Sequence, residues 1–287
     1  MPIVSIIAPQ GRLEPALVSS LQSAFGAIGD ALWLSPGESA EFPVVCAPDN
    51  LPEVRASLAE RAVDLNVVPE HNRRKSLLIA DMDSTMIGQE CIDELAAEAG
   101  VGDRVAAITA RAMNGELDFE AAIIERVGLL RGLPVDVIDH VIASRIEHAP
   151  GGKTLVATMK AHGAYAALVS GGFVQFTEKV GAALGFNETR ANRLIEADGK
   201  LTGDVARPIL GREAKVDALR DLVDDPADAL AVGDGANDLD MIAAAGMGVA
   251  LHAKPVVAAA APLRIDHCDL TALLYLQGYS RDQFVTL

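Results

Sequence analysis

Residues 77–87 of the chain read LLIADMDSTMI. The first four residues are apolar and favour a buried strand, yet two aspartates, Asp81 and Asp83, follow directly. A carboxylate beside a protein core costs free energy unless a cation or hydrogen-bond donors compensate its charge. The stretch therefore predicts that other parts of the chain bring compensating groups to the end of this strand.

The composition is typical of a protein with a large core of strands and helices. The 287 residues are 50% hydrophobic but only 4% aromatic, as in buried parallel strands covered by helices. This length allows more than one domain. With 40 acidic and 24 basic residues the net charge is −16. Such a surface repels nucleic-acid phosphates, so we expect no nucleic-acid partner, and any phosphate site needs local positive charge.

The sequence predicts a cytoplasmic protein without a membrane segment. Its first residues, MPIVSIIAPQGRLEP, have no basic region and only a short apolar run, so we expect no signal peptide. The apolar stretch at residues 241–263 is interrupted by His252, Lys254 and Pro255, which favours helix, strand and helix over a membrane span. The three cysteines are scattered and form no CxxC pair, which indicates neither a disulfide framework nor a zinc site.

Residues 1–70 predict a small α+β domain of the ferredoxin-like type. Apolar patterns follow one another in the order strand, helix, strand, strand, helix, strand. They cover residues 2–8, 14–26, 30–36, 41–47, 50–62 and 63–69. The polar run PEHNRRK at residues 69–75 then reads as a solvated linker.

Residues 76–287 predict an α/β domain with a doubly wound parallel sheet of the Rossmann type. The strand SLLIAD is followed by a mostly helical stretch at about 89–150, and strand-like segments return at AYAALVSGG, ALAVGDG and GVALH. The helical stretch is therefore predicted to be a cap, inserted between core segments 76–88 and 151–287. Its expected place is over the strand ends, where such folds bind ligands.

Three further groups with chemical potential follow apolar or helical segments. The turn VSGG carries Ser170, whose hydroxyl could hold a phosphate oxygen together with the amides of Gly171 and Gly172. The segment GREAK carries Lys215, and the loop GDGAND carries Asp234. Each pattern alone is commonest in surface turns or on solvated helices, so the prediction depends on their combination.

Together these groups predict a magnesium site beside a phosphate site. Asp81, the backbone carbonyl of Asp83 and Asp234 would form an all-oxygen shell, which Mg²⁺ prefers. Lys215 would add a second positive charge near the phosphate. A bound cation would also let the clustered carboxylates stay ionised despite their mutual repulsion.

The motifs DMDST, VSGG, a lysine and GDGAND, in this order over roughly residues 76–252, resemble those of the haloacid dehalogenase-like phosphohydrolase superfamily. The helical stretch directly after the first motif resembles the C1 type of cap. By position, the first 70 residues resemble the ACT-type or ACT-like regulatory domain of some members. This resemblance implies a homodimerisation module or a site for an amino-acid effector, and the sequence leaves both open.

The resemblance implies a role for each motif residue. Asp81 would attack phosphorus and form an aspartyl-phosphate, and Asp83 would act as general acid and then as general base. Ser170, Gly171, Gly172 and Lys215 would hold the phosphoryl oxygens. A supporting role falls to Asp238, which would orient a metal-bound water or Lys215.

The cap indicates which phosphate ester is bound. Glu90, Met113, Phe119 and Arg126, with Asn237 of the core, are similar to the substrate-binding residues of family members that hydrolyse O-phosphoserine, the last step of serine biosynthesis. Glu90 would pair with the ammonium group and Arg126 with the carboxylate. These two residues could instead be surface charges, whereas Met113 and Phe119 could serve the cap core and the pocket wall together.

Two rival functions remain open at this point. C1-capped relatives also transfer phosphate to another alcohol or cleave other small phosphomonoesters, and a substrate panel would separate these activities. A phospho-acceptor receiver uses an aspartate and Mg²⁺ without turnover, but it has no need for an acid at the position of Asp83. A nucleotide-binding fold is disfavoured, because GDGAND is not GxGxxG and no P-loop motif occurs.

Overall fold

The computed structural model describes residues 1–113 and 116–286, with the side chain of Met113 outside that description. The strands are β1 (Pro2–Ile7), β2 (Leu32–Ser35), β3 (Ser39–Pro43), β4 (Asp64–Pro69), β5 (Leu77–Ala80), β6 (Tyr165–Phe173), β7 (Glu188–Asn192), β8 (Leu194–Ala197), β9 (Lys200–Val205), β10 (Ala229–Gly233), β11 (Met247–Leu251) and β12 (Leu263–Ile265). The α-helices are α1 (Pro15–Phe25), α2 (Leu51–Ser57), α3 (Cys91–Glu98), α4 (Gly102–Met113), α5 (Phe119–Gly128), α6 (Asp136–Ser144), α7 (Gly152–Ala161), α8 (Val174–Leu184), α9 (Arg212–Leu222), α10 (Leu239–Ala244), α11 (Pro255–Ala260) and α12 (Ala272–Leu276).

The strand that precedes the two aspartates lies inside a six-stranded sheet with the order β12-β11-β10-β5-β6-β7. All of its neighbouring pairs are parallel. Ala80, the last residue of β5, is in register with Val232 of β10 and Leu168 of β6. The carboxyl ends of these three strands therefore meet at one edge, as the sequence predicts for a doubly wound sheet.

Both faces of this sheet are covered, which explains why its strands are apolar throughout. Leu78 and Ala80 pack on one face with residues of α7, α8 and α12. Leu77 and Ile79 point the other way and pack with residues of α9 and α10. Because successive side chains of a strand point to opposite faces, a strand buried on both sides needs an unbroken apolar run.

The first part of the chain forms a separate antiparallel sheet with the order β2-β3-β1-β4. Its elements follow the predicted ferredoxin-like sequence, with α1 and α2 as the two helices. The third predicted strand, however, lies earlier, at 39–43 rather than 41–47. Ser39 and Ala40 pair with β1, whereas Val45 and Cys46 are exposed beyond the sheet.

The interpretation of residues 69–75 as a solvated linker is wrong for two of its cations. The Arg73 guanidinium is largely shielded from solvent, pairs with Glu41 at 2.6 Å and donates to the backbone carbonyls of residues 275 and 276. Lys75 is 5% exposed and donates to the backbone carbonyl of Ala227 at 2.7 Å. Partners far away in the sequence therefore bury these charges. The boundaries 1–70 and 76–287 stay a prediction.

Four helices, α3 to α6, occupy the stretch between β5 and α7 that the sequence assigns to a cap. The hairpin β8-β9, which the sequence does not predict, packs against α5 and the chain that follows it. Its Leu201 accepts a hydrogen bond from the amide of Gly132 and donates to the carbonyl of Leu133, both just after α5. The cap limits of about 89–150 stay a prediction.

The stretch at residues 241–263 folds as predicted, with α10, β11 and α11 in succession. The strand β12 at its end is an addition, because three residues are too few to give a periodic signal. Within the described parts of the chain, no helix combines the length and the apolar character needed to cross a bilayer.

Candidate active site

The charge of Asp81 is compensated by a buried lysine. Asp81 continues the ladder of β5 through its amide, which donates to the carbonyl of Val232 at 3.0 Å. Its Oδ1 lies 2.6 Å from Nζ of Lys215, and the same ammonium contacts Asp238 Oδ1 at 2.5 Å. Lys215 is 1% exposed. Burial opposes the charge of Lys215, but the two aspartates dominate and raise its pKa to about 12, so it stays charged.

Asp238 holds this lysine in place. One of its oxygens contacts Lys215, and the other accepts a hydrogen bond from the amide of Gly235 at 3.0 Å. Gly233 makes room for the side chain, since a Cβ atom there would lie 2.3 Å from Cγ of Asp238. Both oxygens of Asp238 thus already have donors, one of them Lys215, and its supporting role stays a prediction.

Asp234 brings a further carboxylate to the strand ends. Single carboxylate oxygens of Asp81, Asp234 and Asp238 lie within 4.8 Å of one another. Burial, followed by the charges of Asp238 and Glu90, raises the pKa of Asp234 to about 6. Burial also raises the pKa of Asp81, with Lys215 opposing. These oxygens are hard donors whose repulsion a divalent cation would relieve, so the donor set fits Mg²⁺.

Asp83 lies beside Asp81 but on the side of the cap. Its Oδ1 accepts a hydrogen bond from the amide of Cys91, the first residue of α3, at 3.3 Å. Burial, with a further contribution from the negative charge of Glu90, raises the pKa of Asp83 to about 7. A carboxyl group with this pKa can give up a proton and take one back near neutral pH.

The VSGG segment, predicted as a turn, instead lies within the last residues of β6, where the pairing with β7 is irregular, and it brings hydrogen-bonding groups to that strand end. Ser170 is 3% exposed, and its Oγ accepts from the amide of Gly172 at 2.8 Å. A Cβ atom on Gly172 would lie 2.8 Å from Oδ2 of Asp83, and one on Gly171 would lie 3.3 Å from Cζ of Phe119. The two glycines therefore allow this part of β6 to approach both the carboxylate and the cap closely.

A cavity of about 380 Å³ lies between the cap and the core. From the core, the predicted residues that line it are Asp81, Asp83, Ser170, Gly171, Gly172, Asp234 and Asn237; from the cap they are Glu90, Phe119 and Arg126. Lys215 and Asp238 lie behind Asp81. Met113 falls outside the described side chains.

The charged cap residues are held in different ways. Glu90 is exposed and accepts a hydrogen bond from the hydroxyl of Ser84 at 2.8 Å. Arg126 is partly buried, and its Nε donates to the carbonyl of Ala122 one turn earlier at 3.2 Å. Burial lowers the pKa of Arg126, but Asp93 and Glu90 oppose this. The cavity thus has a positive and a negative group at its cap end.

Three further residues at the site are absent from the sequence-based prediction. The hydroxyl of Thr85 lies 3.4 Å from Oδ1 of Asp234. Thr109 of α4 lines the cavity, and its buried hydroxyl has no hydrogen-bond partner among the described residues. Lys254 lines the cavity from the loop after β11. Of these three residues, only Lys254 could have been found from the sequence, because it closely follows an apolar strand, as Asp81 and Asp234 do.

Curated relatives match most of the chain. A phosphoserine phosphatase of Streptomyces coelicolor is 43% identical over 240 residues, which cover 80% of this chain. The chain spans only 58% of the length of that relative. A probable phosphoserine phosphatase of Schizosaccharomyces pombe is 45% identical over 233 residues, which cover 78% of each protein.

A solved structure and a family model give the same assignment. A haloacid dehalogenase family hydrolase from Salmonella enterica serovar Typhi superimposes with a TM-score of 0.87 at 30% identity, covering 96% of this chain and 98% of that one. The model of the haloacid dehalogenase-like hydrolases matches residues 78–243, more than half of the sequence. The strand-end carboxylates, the buried lysine and the inserted helices lie within this match, and the chain belongs to the haloacid dehalogenase-like hydrolase family.

Proposed function

We propose that this chain is a phosphoserine phosphatase, which hydrolyses O-phospho-L-serine to L-serine and phosphate with Mg²⁺ as cofactor. The observation that carries the proposal is a single cavity with carboxylates and a buried lysine at its core end, and with Glu90 and Arg126 at its cap end. This arrangement suits a small ligand that carries a phosphate at one end and a zwitterionic amino acid at the other. The names of the two curated relatives support the same substrate.

In the first step of the reaction, Asp81 would be the nucleophile. Its carboxylate oxygen would form a bond to phosphorus while the bond between phosphorus and the serine oxygen breaks, which leaves an aspartyl-phosphate. The attack requires ionised Asp81, and its contact with Lys215 at 2.6 Å favours that form. The same pair keeps the carboxylate in a fixed position for in-line attack.

Asp83 would handle the proton in both steps. The leaving serine oxygen is a strongly basic alkoxide, so it needs a proton as it departs, and protonated Asp83 would donate it. The resulting carboxylate would then take a proton from the water that attacks the aspartyl-phosphate. A pKa of about 7 suits both duties, because each form of the carboxyl group is accessible near neutral pH.

The phosphoryl oxygens would be held from the side of the core. The hydroxyl of Ser170 and the amide of Gly171 are donors at the end of β6, and Asn237 adds a side-chain amide on the opposite wall. Such fixed donors stabilise the charge that moves onto the phosphoryl oxygens during transfer. Lys215 contributes from behind Asp81.

Asp81, Asp234 and the backbone carbonyl of Asp83 would hold Mg²⁺, consistent with the hard oxygen donors that the strand ends bring together. When bound, the ion would neutralise part of the carboxylate and phosphate charge at the site. Asp238 is assigned to Lys215, because both of its oxygens already accept hydrogen bonds.

Assays of phosphate release test this function. The purified protein should release phosphate from O-phosphoserine only when Mg²⁺ is present, and faster than from phosphothreonine, phosphohomoserine or sugar phosphates. Asp81→Asn serves as the blank, because it keeps the shape of the side chain and removes the nucleophile. A preference for another ester, or equal release from the Asp81→Asn protein, would overturn the proposal.

Homodimer formation and binding of an amino-acid effector by the N-terminal domain remain predictions. The edge strand β2 exposes Leu32, and Ile28 and Val45 nearby are also exposed, which is compatible with a second copy pairing there. No described feature of the N-terminal sheet favours an amino-acid effector over such a homodimer.

A further inference from the structure

Lys254 is a cation at the cavity that the proposed mechanism does not use. It lies in the loop after β11, at the residue that precedes α11, and its side chain is exposed. Its amide donates to the carbonyl of Asp234 at 3.4 Å, so its loop is tied to the neighbouring strand end. Lys254 thus lines the cavity from the same wall as Asp234 and Asn237.

The other cations of the site already have partners. Lys215 is buried between Asp81 and Asp238, which together offset its charge. Arg126 lies on α5 of the cap, where the proposed function assigns it to the substrate carboxylate. Among the described residues, no carboxylate lies within ion-pairing distance of the Lys254 ammonium, so its charge is available to a ligand.

The charge balance of the cavity favours such a group. Asp81, Asp83, Glu90 and Asp234 are the described acidic residues that line it, against Arg126 and Lys254 as cations. The whole chain carries a net charge of −16, so a dianionic ester approaches against an unfavourable field. A flexible lysine at the core wall would offset this repulsion where the phosphate has to bind.

We propose that Lys254 is a further substrate-binding residue, whose ammonium group contacts the phosphate of the bound ester. The inference deepens the proposed function and depends on it for the identity of the ester. Its position on the core wall excludes the amino-acid end of the ligand, which the cap residues face. The rival role is that Lys254 only offsets the charge of Asp234 and thereby supports the metal.

Three variants separate these roles: Lys254→Gln removes the charge, Lys254→Arg keeps it, and Lys200→Gln removes the charge of another exposed lysine, on β9. At saturating Mg²⁺ we expect Lys254→Gln to raise both the KM for O-phosphoserine and the inhibition constant of inorganic phosphate about 10-fold. Lys254→Arg should restore most of the affinity, and Lys200→Gln should behave as the unmodified protein. The difference should shrink as salt is added, since salt screens the attraction.

The Mg²⁺ concentration for half-maximal activity identifies the rival role. We expect it to be the same in Lys254→Gln and in the unmodified protein. An unchanged inhibition constant of phosphate would overturn the inference, and a shifted Mg²⁺ requirement alone would assign Lys254 to Asp234. If the unmodified protein fails to hydrolyse O-phosphoserine, the proposed function fails. The inference is then tested separately by calorimetry of inorganic phosphate binding with Mg²⁺.

Discussion

Asp81 and Lys215 form an ion pair in a place where neither residue would be stable alone. Removing one partner of a buried pair leaves an uncompensated charge, which costs more than the pair contributes. The sequence predicts that Asp81 and Asp234 converge, because both follow apolar strands of one parallel sheet. It does not predict the burial of Lys215, because a lysine on a polar helix usually faces water, and only the tertiary packing of α9 places it under the strand ends.

The raised pKa of Asp83 predicts how stability depends on pH in the metal-free protein. Between pH 3.8 and about 7 the folded state holds a proton on Asp83 that the unfolded state has lost, so stability falls as pH rises through this range. Asp83→Asn removes this dependence. Relative to the unmodified protein, we expect the variant to be about 2 kcal/mol more stable at pH 8 than it is at pH 5, as measured by the free energy of unfolding.

Urea titrations in the presence of a chelator at both pH values measure this difference. Asp217→Asn is the matched control, since Asp217 lies on the exposed surface of α9 with 68% of its side chain accessible. If Asp83→Asn changes stability equally at pH 5 and pH 8, the carboxyl group is not protonated in the folded protein near neutral pH.

At the scale of elements, predictability follows the length and regularity of the apolar pattern. The core strands β5, β10 and β11 each have at least four consecutive buried residues and are predicted from the sequence. The hairpin β8-β9 alternates irregularly between buried and exposed residues, and β12 has only three residues, so both escape such a prediction. The hairpin matters for the site because it supports the chain after α5, the helix that carries Arg126.

The contact between α10 and β11 depends on a glycine. A Cβ atom on Gly248 would lie 1.9 Å from the backbone oxygen of Ile242, and neither backbone segment can move without shifting a core element. We expect Gly248→Ala to destabilise the protein by about 3 kcal/mol through overpacking. The melting temperature measures the loss.

Gly128→Ala is the control for this change, because Gly128 lies in α5 and a Cβ atom there would meet nothing within 4 Å. We expect it to be neutral or to stabilise the protein by about 0.5–1 kcal/mol, since alanine favours a helix more than glycine does. Equal melting temperatures for the two variants would contradict the close contact at Gly248.

At the scale of the whole molecule, the N-terminal sheet is attached to the core by polar groups in addition to the apolar packing of Ile3, Ile7, Leu34 and Val68. The side-chain amide of Asn66 on β4 exchanges two hydrogen bonds with the backbone of Arg264 on β12, at 2.8 and 3.0 Å. The hydroxyl of Tyr275 donates to Glu38, in the turn between β2 and β3, at 2.8 Å. All of these pairs join residues about 200 or more positions apart, so no local pattern could predict them. The same contacts cover the free edges of β4 and β12, which would otherwise invite pairing with another chain.

Asp64 gives the sharpest test of this attachment. It is 2% exposed, and its two carboxylate oxygens accept hydrogen bonds from the amides of Asp266 at 2.7 Å, Cys268 at 2.9 Å and His267 at 3.2 Å. In Asp64→Ala these amides lose their acceptor while the surrounding chain still shields them from water. We expect a loss of about 3 kcal/mol in the free energy of unfolding, because each buried donor left unpaired costs free energy.

Hydrogen exchange separates a local detachment from a general loss of stability. Asp64→Ala should accelerate hydrogen exchange more at the amides of residues 266–268 than at those of β5. The strand β5 lies inside the core sheet and does not bond to Asp64. Asp30→Ala, at an exposed site before β2, should leave both groups unchanged. If β5 and residues 266–268 accelerate by the same factor, Asp64 contributes to global stability alone. The N-terminal sheet and the catalytic core would then unfold as one cooperative unit rather than as two units.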